Sequence, residues 1–124
     1  MKKIFTIAAV LLSLTIFAQK GNSVIDALEE GNASKFSNYF APKVDIKLPQ
    51  KEELKNVDKA EAASTIRNFF TDNSINGFDV TSQREMSGTM YITGKLKNDT
   101  NSYNITVMMK TKEGSMSVIT VRIN

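Results

Sequence analysis

The sequence contains no cysteine, no histidine and no tryptophan, and only two prolines among its 124 residues. Without cysteine or histidine, the chain has no disulfide framework and no zinc or haem ligation through those residues. Cys-His nucleophiles, Ser-His-Asp triads and histidine pH switches are excluded for the same reason. The fold must therefore be held together by core packing, which a domain of about 100 residues achieves by burying roughly two-thirds of its unfolded surface.

The rest of the composition is typical of an ordinary globular protein. It is 41% hydrophobic and 23% charged, which separates it from disordered chains. The length predicts a single domain. No feature of the composition identifies a substrate.

Residues 1–18 have the features of a secretory signal. Lys2 and Lys3 precede an apolar run over residues 4–17, and Ala18 is a small residue at a cleavage site before Gln19. The run is shorter than the roughly 20 apolar residues of a membrane span, which favours cleavage over an uncleaved anchor or a buried helix. We therefore expect an exported protein, periplasmic or extracellular, whose one domain covers residues 19–124.

The signal also carries two of the 16 basic residues, which leaves 14 against 13 acidic residues, a formal charge of +1. A chain so close to neutral has no electrostatic footprint for a polyanion. Two lysine pairs on the predicted strands, one at positions 95 and 97 and the other at positions 110 and 112, resemble a basic patch. The two pairs are predicted to lie about 20 Å from each other, at opposite strand ends. We expect no binding of nucleic acid.

Two short helices are predicted after the signal, separated by Gly31. Asn22 or Ser23 caps the first helix, and Gly31 ends it because glycine accepts the left-handed conformation there. Asn32 caps the second helix, which is predicted to end at Pro42. The aromatic residues predicted to share one side of this second helix are Phe36, Tyr39 and Phe40.

A strand and a longer helix follow. Residues 44–48 alternate between apolar and polar side chains, which predicts a strand with one buried face, and residues 50–56 are predicted to form a charged loop. Asp58 and Glu61 have the spacing of a capping box at the start of a helix. The apolar face of that helix comprises Ala62, Ala63, Ile66, Phe69 and Phe70.

From Gly77 onward the apolar period changes from 3.6 to 2. Four strands are predicted near residues 78–86, 89–97, 102–112 and 115–123, with short turns between them. Short connections predict an antiparallel meander, and the phenylalanine-rich helix is the element available to cover its apolar face. The predicted fold class is α+β, with a curved antiparallel sheet wrapped around a long helix in the element order ααβαββββ.

Four segments of this sequence resemble a known family. They are VIDALEEGNASKFSNYF, VDIKLP, VDKAEAASTIRNFF and the terminal SMSVITVRIN. The chain is similar to small secreted bacterial proteins in the nuclear transport factor 2-like superfamily, with a cystatin-like fold, known as domain of unknown function 4783. The resemblance implies a cone-shaped α+β barrel, open at one end, that often dimerises through its outer sheet face. It implies no established catalytic residue.

Strand parity predicts which side chains face the inside of the cone. The residues predicted to point inward are Val44, Ile46, Leu48, Phe78, Val80, Ser82, Arg84, Met86, Met90, Ile92, Gly94, Leu96, Tyr103, Ile105, Val107 and Met109. No aspartate or glutamate is among them, which argues against acid–base catalysis. The last strand fits two interpretations: it is apolar on both faces and offers a dimer surface, or it contains a bulge.

A small set of side chains is the candidate lining of a ligand pocket. Arginine can bind a carboxylate or phosphate, and tyrosine can hydrogen-bond and stack, although arginines at strand ends often extend into solvent instead. The candidate residues are Tyr39, Phe69, Phe70, Arg84, Tyr103 and Arg122. Residues 72–77 share oxygen-donor positions with a calcium loop, but Gln83 stands where the bidentate glutamate belongs, so we expect neither a metal nor another cofactor.

These observations favour a non-catalytic exported protein that binds a small ligand or an envelope partner protein. The expected pocket has a volume of a few hundred Å³ and a lining of phenylalanine, methionine and Tyr103. Two alternatives stay open. One is an interaction or homodimerisation module that uses the outer sheet face. The other is an isomerase- or hydratase-like enzyme in which Asp45, Asp79 or a helix carboxylate reaches the cavity beside a tyrosine.

Overall fold

The first two helices are separated by a glycine that no other residue replaces without strain. The computed structural model describes residues 22–112 and 114–124, so the predicted signal lies outside the described residues. Helix α1 covers residues 22–29, and α2 covers Ala33–Ser37. Between them, Gly31 has a φ of +67°, and a Cβ there would lie 2.5 Å from the carbonyl oxygen of Ile75. The predicted glycine break is therefore confirmed, with a close approach as a second reason for it.

Helix α2 begins as predicted and ends earlier than predicted. The side chain of Asn32 accepts a hydrogen bond from the Lys35 backbone N–H at 3.0 Å, which confirms the predicted cap. The helix ends at Ser37, and strand β1 (Phe40–Lys47) starts before Pro42. The predicted helical face of Phe36, Tyr39 and Phe40 is therefore wrong, because Phe40 is already extended.

Strand β2 (Leu54–Asp58) was missed by sequence reasoning, which predicted a loop over residues 50–56. This strand pairs antiparallel with β1 at the edge of the sheet. Almost all of its side chains are exposed, and Leu54 is 40% exposed. A short edge strand with no buried face has no apolar alternation, which is the signal on which strand prediction depends. The observed element order is ααββαββββ.

Helix α3 (Lys59–Asp72) covers the inner face of the sheet. Its buried residues are Ala62, Ile66, Phe69 and Phe70, which are four of the five predicted; the fifth, Ala63, is half-buried. Asp58 occupies the N-cap position, but its side chain makes no capping hydrogen bond and instead pairs with Lys43 on β1. The predicted capping box is therefore wrong, because the aspartate has a cross-strand lysine partner.

The four predicted C-terminal strands are confirmed with their bounds shifted by at most one residue. They are β3 (Gly77–Met86), β4 (Thr89–Lys97), β5 (Ser102–Lys112) and β6 (Ser115–Ile123). The sheet has the order β2-β1-β6-β5-β4-β3, in which β1 and β6 run parallel and the other neighbours antiparallel. Lys110 lies opposite Thr89, as the meander predicts. The predicted fold class, a curved sheet with a long helix on one face, is confirmed.

A bulge at Ile119 decides between the two interpretations of the last strand. Met108 pairs with Thr120 and Met109 with Val118, so Ile119 is an extra residue between them. The insertion reverses the parity along β6. Met116 and Val118 on one side of it and Val121 and Ile123 on the other are therefore all buried in the same core. The strand is bulged, and the bulge buries both apolar sets.

A second bulge, in β3, corrects part of the predicted inner face. Val80 pairs with Gly94 but Ser82 pairs with Thr93, so the parity of β3 reverses at this point. Phe78 is buried as predicted, whereas Arg84 and Met86 lie on the outer face and are exposed. The predicted inward parity of Ser82, Arg84 and Met86 is therefore wrong.

The space between the sheet and α3 is filled by side chains. Ile66 on the helix and Ile92, Val107 and Met109 on the sheet have no exposed surface at all. An internal cavity large enough for water would give such residues accessible surface, so the middle of the core is packed solid. Within the described residues, no helix is long and apolar enough to cross a bilayer.

Candidate functional site

A cleft of about 590 Å³ lies at one end of α3, where the β1–β2 loop and β5 approach the helix. Its lining differs from the expected one, because it is mainly polar and contains no methionine. The predicted pocket of phenylalanine and methionine inside the cone is not present in the packed core described above. The residues that line the cleft are Leu48, Pro49, Gln50, Lys51, Thr65, Asn68, Phe69, Asp72, Asn73 and Tyr103.

Helix α3 supplies four of these ten residues as a single stripe. Thr65, Asn68, Phe69 and Asp72 are spaced three or four residues apart, which places them on one face of the helix. This stripe adjoins the buried stripe that contains Ile66. The apolar stripe is buried, and the neighbouring stripe lines the cleft.

The side chain of Tyr103 is held in the cleft by two neighbours. Its hydroxyl donates a hydrogen bond to Asn73 Oδ1 at 3.0 Å. Its ring meets the ring of Phe69 edge to face, with centroids 5.4 Å apart and an interplanar angle of 77°. An edge-to-face pair of this kind fixes the ring plane, so Tyr103 presents a fixed ring, and a phenolic oxygen that can still accept a hydrogen bond.

Asn73 is the residue that organises this arrangement. It follows α3 directly, and its Nδ2 donates to the Phe69 carbonyl at 2.9 Å. Its own carbonyl accepts a hydrogen bond from Asn98 Nδ2 at 2.7 Å. One asparagine therefore connects the end of the helix, the tyrosine on β5 and the β4–β5 turn. The side-chain amide and the backbone carbonyl of Asn73 form hydrogen bonds with other residues of the protein.

Two charged residues in the cleft have no charged partner. Lys51 and Asp72 are both exposed, and neither forms an ion pair within the described part of the chain. Asn68 and Gln50 likewise make no side-chain hydrogen bond there. A bound molecule can therefore use these groups without breaking interactions inside the protein.

The six candidate residues do not form one site. Phe69 and Tyr103 line the cleft, whereas Phe70 lines a separate depression between α2 and α3. Tyr39 packs half-buried against the core, and its carbonyl accepts a hydrogen bond from the Val118 N–H at 2.7 Å. Arg84 and Arg122, the two arginines considered as anion ligands, lie elsewhere.

Both arginines are on the outer face of the sheet. Arg84 has its Nη2 atom 3.6 Å from the sulfur of Met86. Arg122 Nη1 lies 3.4 Å from Glu53 Oε1 in an ion pair. The bulge in β3 accounts for the position of Arg84. Arg122 alternates with the buried Val121 and Ile123, so ordinary strand parity directs it outward.

Sequence reasoning missed Asn68, Asp72, Asn73, Gln50 and Lys51. The helical stripe of Thr65, Asn68, Phe69 and Asp72 was visible in the sequence as a second 3.6-residue period beside the apolar one. Gln50 and Lys51 were not detectable in this way, because they lie in a loop. The loop joins the cleft only through the β1–β2 pairing, which the sequence did not predict.

The acidic side chains are distributed on the surface. Among the described residues, the buried polar side chains are Ser37 and Thr120, and no carboxylate is among them. Asp45 is half-buried and accepts a hydrogen bond from the Asn56 N–H at 2.7 Å, and Asp79 pairs with Lys97 at 2.9 Å. No group of three potential metal ligands from histidine, cysteine, aspartate and glutamate occurs in the residues that the structure covers.

Comparison with known proteins gives a family and a fold. Residues 21–124 match the family described as domain of unknown function (DUF4783). The crystal structure of a DUF4783 family protein from Bacteroides ovatus is 27% identical, covers 82% of this chain and 90% of its own, and superposes with a TM-score of 0.76. A DUF4783 family protein from Bacteroides uniformis is 23% identical over 83% of this chain and 94% of its own, with a TM-score of 0.76.

More distant structures share the fold alone. An NTF-2 like protein of unknown function from Shewanella oneidensis is 8% identical, covers 86% of this chain and 94% of its own, and superposes with a TM-score of 0.60. No curated protein matches the sequence. The predicted family resemblance is therefore confirmed, and it brings no activity with it.

Proposed function

The chain belongs to the DUF4783 family, with a nuclear transport factor 2-like fold, and we propose that it is an exported, non-catalytic protein that binds a small ligand in the cleft beside Tyr103. The cleft volume of about 590 Å³ lies within the range of about 300–1,000 Å³ that small-molecule sites occupy. Binding inside the packed cone is not part of the proposal.

The observation that carries the proposal is the combination of a fixed aromatic pair with free polar groups. Tyr103 is oriented by Phe69 and Asn73 before any ligand arrives, so little conformational entropy is lost there on binding. Asn68 and Asp72 stand beside it without partners of their own. Such convergent polar groups around an apolar wall are characteristic of ligand sites.

The distribution of carboxylates supports a non-catalytic role. A general acid or base is usually tuned by burial or by a charged neighbour. Asp72 shares the cleft with Tyr103 and is the helix carboxylate that the enzymatic alternative requires, but it is exposed. Asp45 and Asp79 are not among the residues that line the cleft, and both have partners of their own. An exposed aspartate beside a tyrosine is better suited to hydrogen bonding than to proton abstraction.

The export part of the proposal rests on the sequence. Lys2 and Lys3, the apolar run over residues 4–17 and the small Ala18 together have the arrangement of a cleaved signal. A cysteine-free chain folds equally well in oxidising and reducing compartments.

The test is a ligand screen with matched variants. The purified protein is screened by two-dimensional NMR against a library of soluble metabolites, and each ligand found is titrated into Asn68→Ala and Tyr103→Ala. We expect both variants to weaken binding at least about tenfold. Tyr91→Ala is the control, because Tyr91 is also half-buried on the sheet but lies on the outer face.

Asn68 is exposed and makes no side-chain hydrogen bond in the described structure, so Asn68→Ala leaves the fold intact. A ligand that binds Asn68→Ala and Tyr103→Ala as tightly as the parent protein is not bound in the cleft, and the proposal is then wrong. Turnover of a bound compound, lost in Asp72→Asn, would instead support the enzymatic alternative.

A second candidate function is self-association through the outer sheet face. A shallow groove of about 310 Å³ lies there, and the exposed Met86 forms part of its wall. The groove is lined by Ser82, Arg84, Met86, Tyr91, Thr93 and Thr106. Light scattering of the purified protein tests it: a dimer that Met86→Lys dissociates favours this candidate, and a monomer at high concentration removes it.

A further inference from the structure

An apolar trough continues from the cleft toward the edge of the sheet. Its volume is about 400 Å³. Ile46 on β1 and Leu54 on β2 are paired in register at the base of this trough. Leu54 remains 40% exposed because α3 does not cover it. The residues that line this apolar trough are Ile46, Leu48, Lys51, Glu52, Leu54 and Thr65.

The apolar trough and the cleft are parts of one groove. Leu48, Lys51 and Thr65 line both of them, so these residues form the junction between the two. A ligand lying along the groove passes from Leu54, past Lys51, to Asp72 and Tyr103. The groove therefore changes from apolar to polar along its length. A ligand that complements it has one apolar end and one polar end, as an amphiphile does.

The charges along the groove define the headgroup. Glu52 is an exposed residue that lines the apolar trough, and Lys51 is the one cationic side chain among the described residues that line the groove. Lys51 stands at the junction, next to the apolar trough, and Asp72 stands only in the cleft beyond it. Neither has an ion pair within the described residues. From the apolar end, a complementary ligand carries an alkyl chain, then an anionic group, then a cationic group. The ring of Tyr103 beside Asp72 adds a face to which an ammonium group is attracted.

We propose that the cleft and the apolar trough together bind a single-chain amphiphile with a zwitterionic headgroup, its chain on Leu54, its phosphate at Lys51 and its ammonium group at Asp72. This inference rests on the proposed function and specifies its ligand class. Leu54, exposed in the free protein, becomes covered by the alkyl chain, and burial of apolar surface supplies the affinity. The two charged contacts determine which headgroup is accepted.

The test uses dodecylphosphocholine below its micelle concentration as the probe, titrated into the full folded protein and followed by NMR. Two comparison probes separate the parts of the ligand: phosphocholine, which has the headgroup without the chain, and dodecyl maltoside, which has the chain with an uncharged head. We expect dodecylphosphocholine to bind at least about tenfold more tightly than either. The shifted resonances are expected to include those of Leu54 and Tyr103.

Leu54→Asp tests the apolar trough and is expected to weaken dodecylphosphocholine binding more than about tenfold. Val80→Asp is the matched control, because Val80 is 42% exposed on the opposite edge strand, and it is expected to bind like the parent protein. Asp72→Asn tests the ammonium contact and is expected to weaken binding about three- to tenfold, without changing the affinity for dodecyl maltoside.

The outcomes separate this inference from the proposed function. If phosphocholine alone binds in the cleft as tightly as dodecylphosphocholine, or if Leu54→Asp has no effect, the amphiphile inference is wrong and the cleft still binds a small ligand. Equal binding of dodecyl maltoside refutes the zwitterionic headgroup. If no probe binds and the metabolite screen also gives no ligand sensitive to Asn68→Ala, both proposals are wrong.

Discussion

The hydroxyl of Tyr103 donates a hydrogen bond to Asn73 Oδ1 across 30 residues of sequence, at 3.0 Å. This contact joins β5 to the residue that follows α3, and the cleft lies beside it. Because Asn73 also donates to the Phe69 carbonyl, the tyrosine and the helix end are oriented by the same side chain. The geometry of the candidate site is therefore part of the fold, and its contacts are measurable as stability.

We expect Tyr103→Phe to lower the free energy of unfolding by about 0.5–1.5 kcal/mol, the usual net value of one hydrogen bond. Asn73→Ala removes the acceptor for Tyr103 and the donor to Phe69, so a loss of about 1–3 kcal/mol is expected. Urea unfolding of both single variants and the double variant measures their coupling.

Tyr91→Phe is the control for these measurements, because the Tyr91 hydroxyl has no hydrogen-bond partner in the described structure. Its expected effect is within about 0.5 kcal/mol. Additive losses in the Tyr103→Phe/Asn73→Ala double variant would contradict the contact, since two interacting residues show coupling.

Gly94→Ala is predicted to be strongly destabilising. The ring of Phe78 lies across Gly94 on the neighbouring strand, and a Cβ at position 94 would approach its Cε1 atom to 2.5 Å. It would also meet the backbone oxygen of Asp79, which cannot move without disturbing the β3–β4 pairing. We expect a loss of roughly 2–3 kcal/mol in thermal or urea unfolding, as for other overpacked sites.

Gly77→Ala provides the comparison for Gly94→Ala. A Cβ at position 77 would meet only the flexible Lys97 side chain, at 3.4 Å. We expect it to change stability by no more than about 0.5 kcal/mol. Similar losses for the two variants would show that the general effect of adding a methyl group, and not the close approach at Phe78, governs stability here.

Ser87→Asn is predicted to stabilise the β3–β4 hairpin. Ser87 and Gly88 both have positive φ, 52° and 79°, and they connect Met86 to its pairing partner Thr89. These are the requirements of a type I′ turn, for which Asn-Gly is the preferred pair. We expect a gain of about 0.5 kcal/mol in thermal unfolding, whereas Ser87→Val, branched at Cβ, is expected to lose stability. A gain for valine would refute the turn assignment.

The comparison of sequence and structure shows where periodicity works as a predictor. In β4 and β5, the predicted inward residues such as Ile92 and Val107 are buried, because both strands have neighbours on either side and regular pairing. In β3, the extra residue near Val80 reverses the parity and turns Arg84 outward. A bulge changes the face of every later residue while leaving the strand's composition unchanged, so period counting alone does not detect it.

The candidate site was predicted only where it shares residues with the core. Phe69 and Tyr103 were identified because aromatic residues stand out in an apolar pattern. Lys51 was not, since its position depends on the pairing of β2, an edge strand without a buried face. Sites built from loops and exposed helix stripes depend on long-range contacts, and these are not encoded in local periodicity.

The cleavage site of the proposed export signal is the remaining prediction. Cleavage after Ala18 predicts a mature chain that begins at Gln19, and N-terminal sequencing of protein recovered from the periplasm or the medium identifies it. Replacing Leu11 and Leu12 by arginine interrupts the apolar run over residues 4–17, so the precursor is expected to remain unprocessed inside the cell.

Because these substitutions lie outside residues 22–124, they leave the cleft unchanged, and the unprocessed protein is expected to retain ligand binding. Processing of the arginine variant at the normal rate would contradict the signal assignment while leaving the binding site proposal untouched.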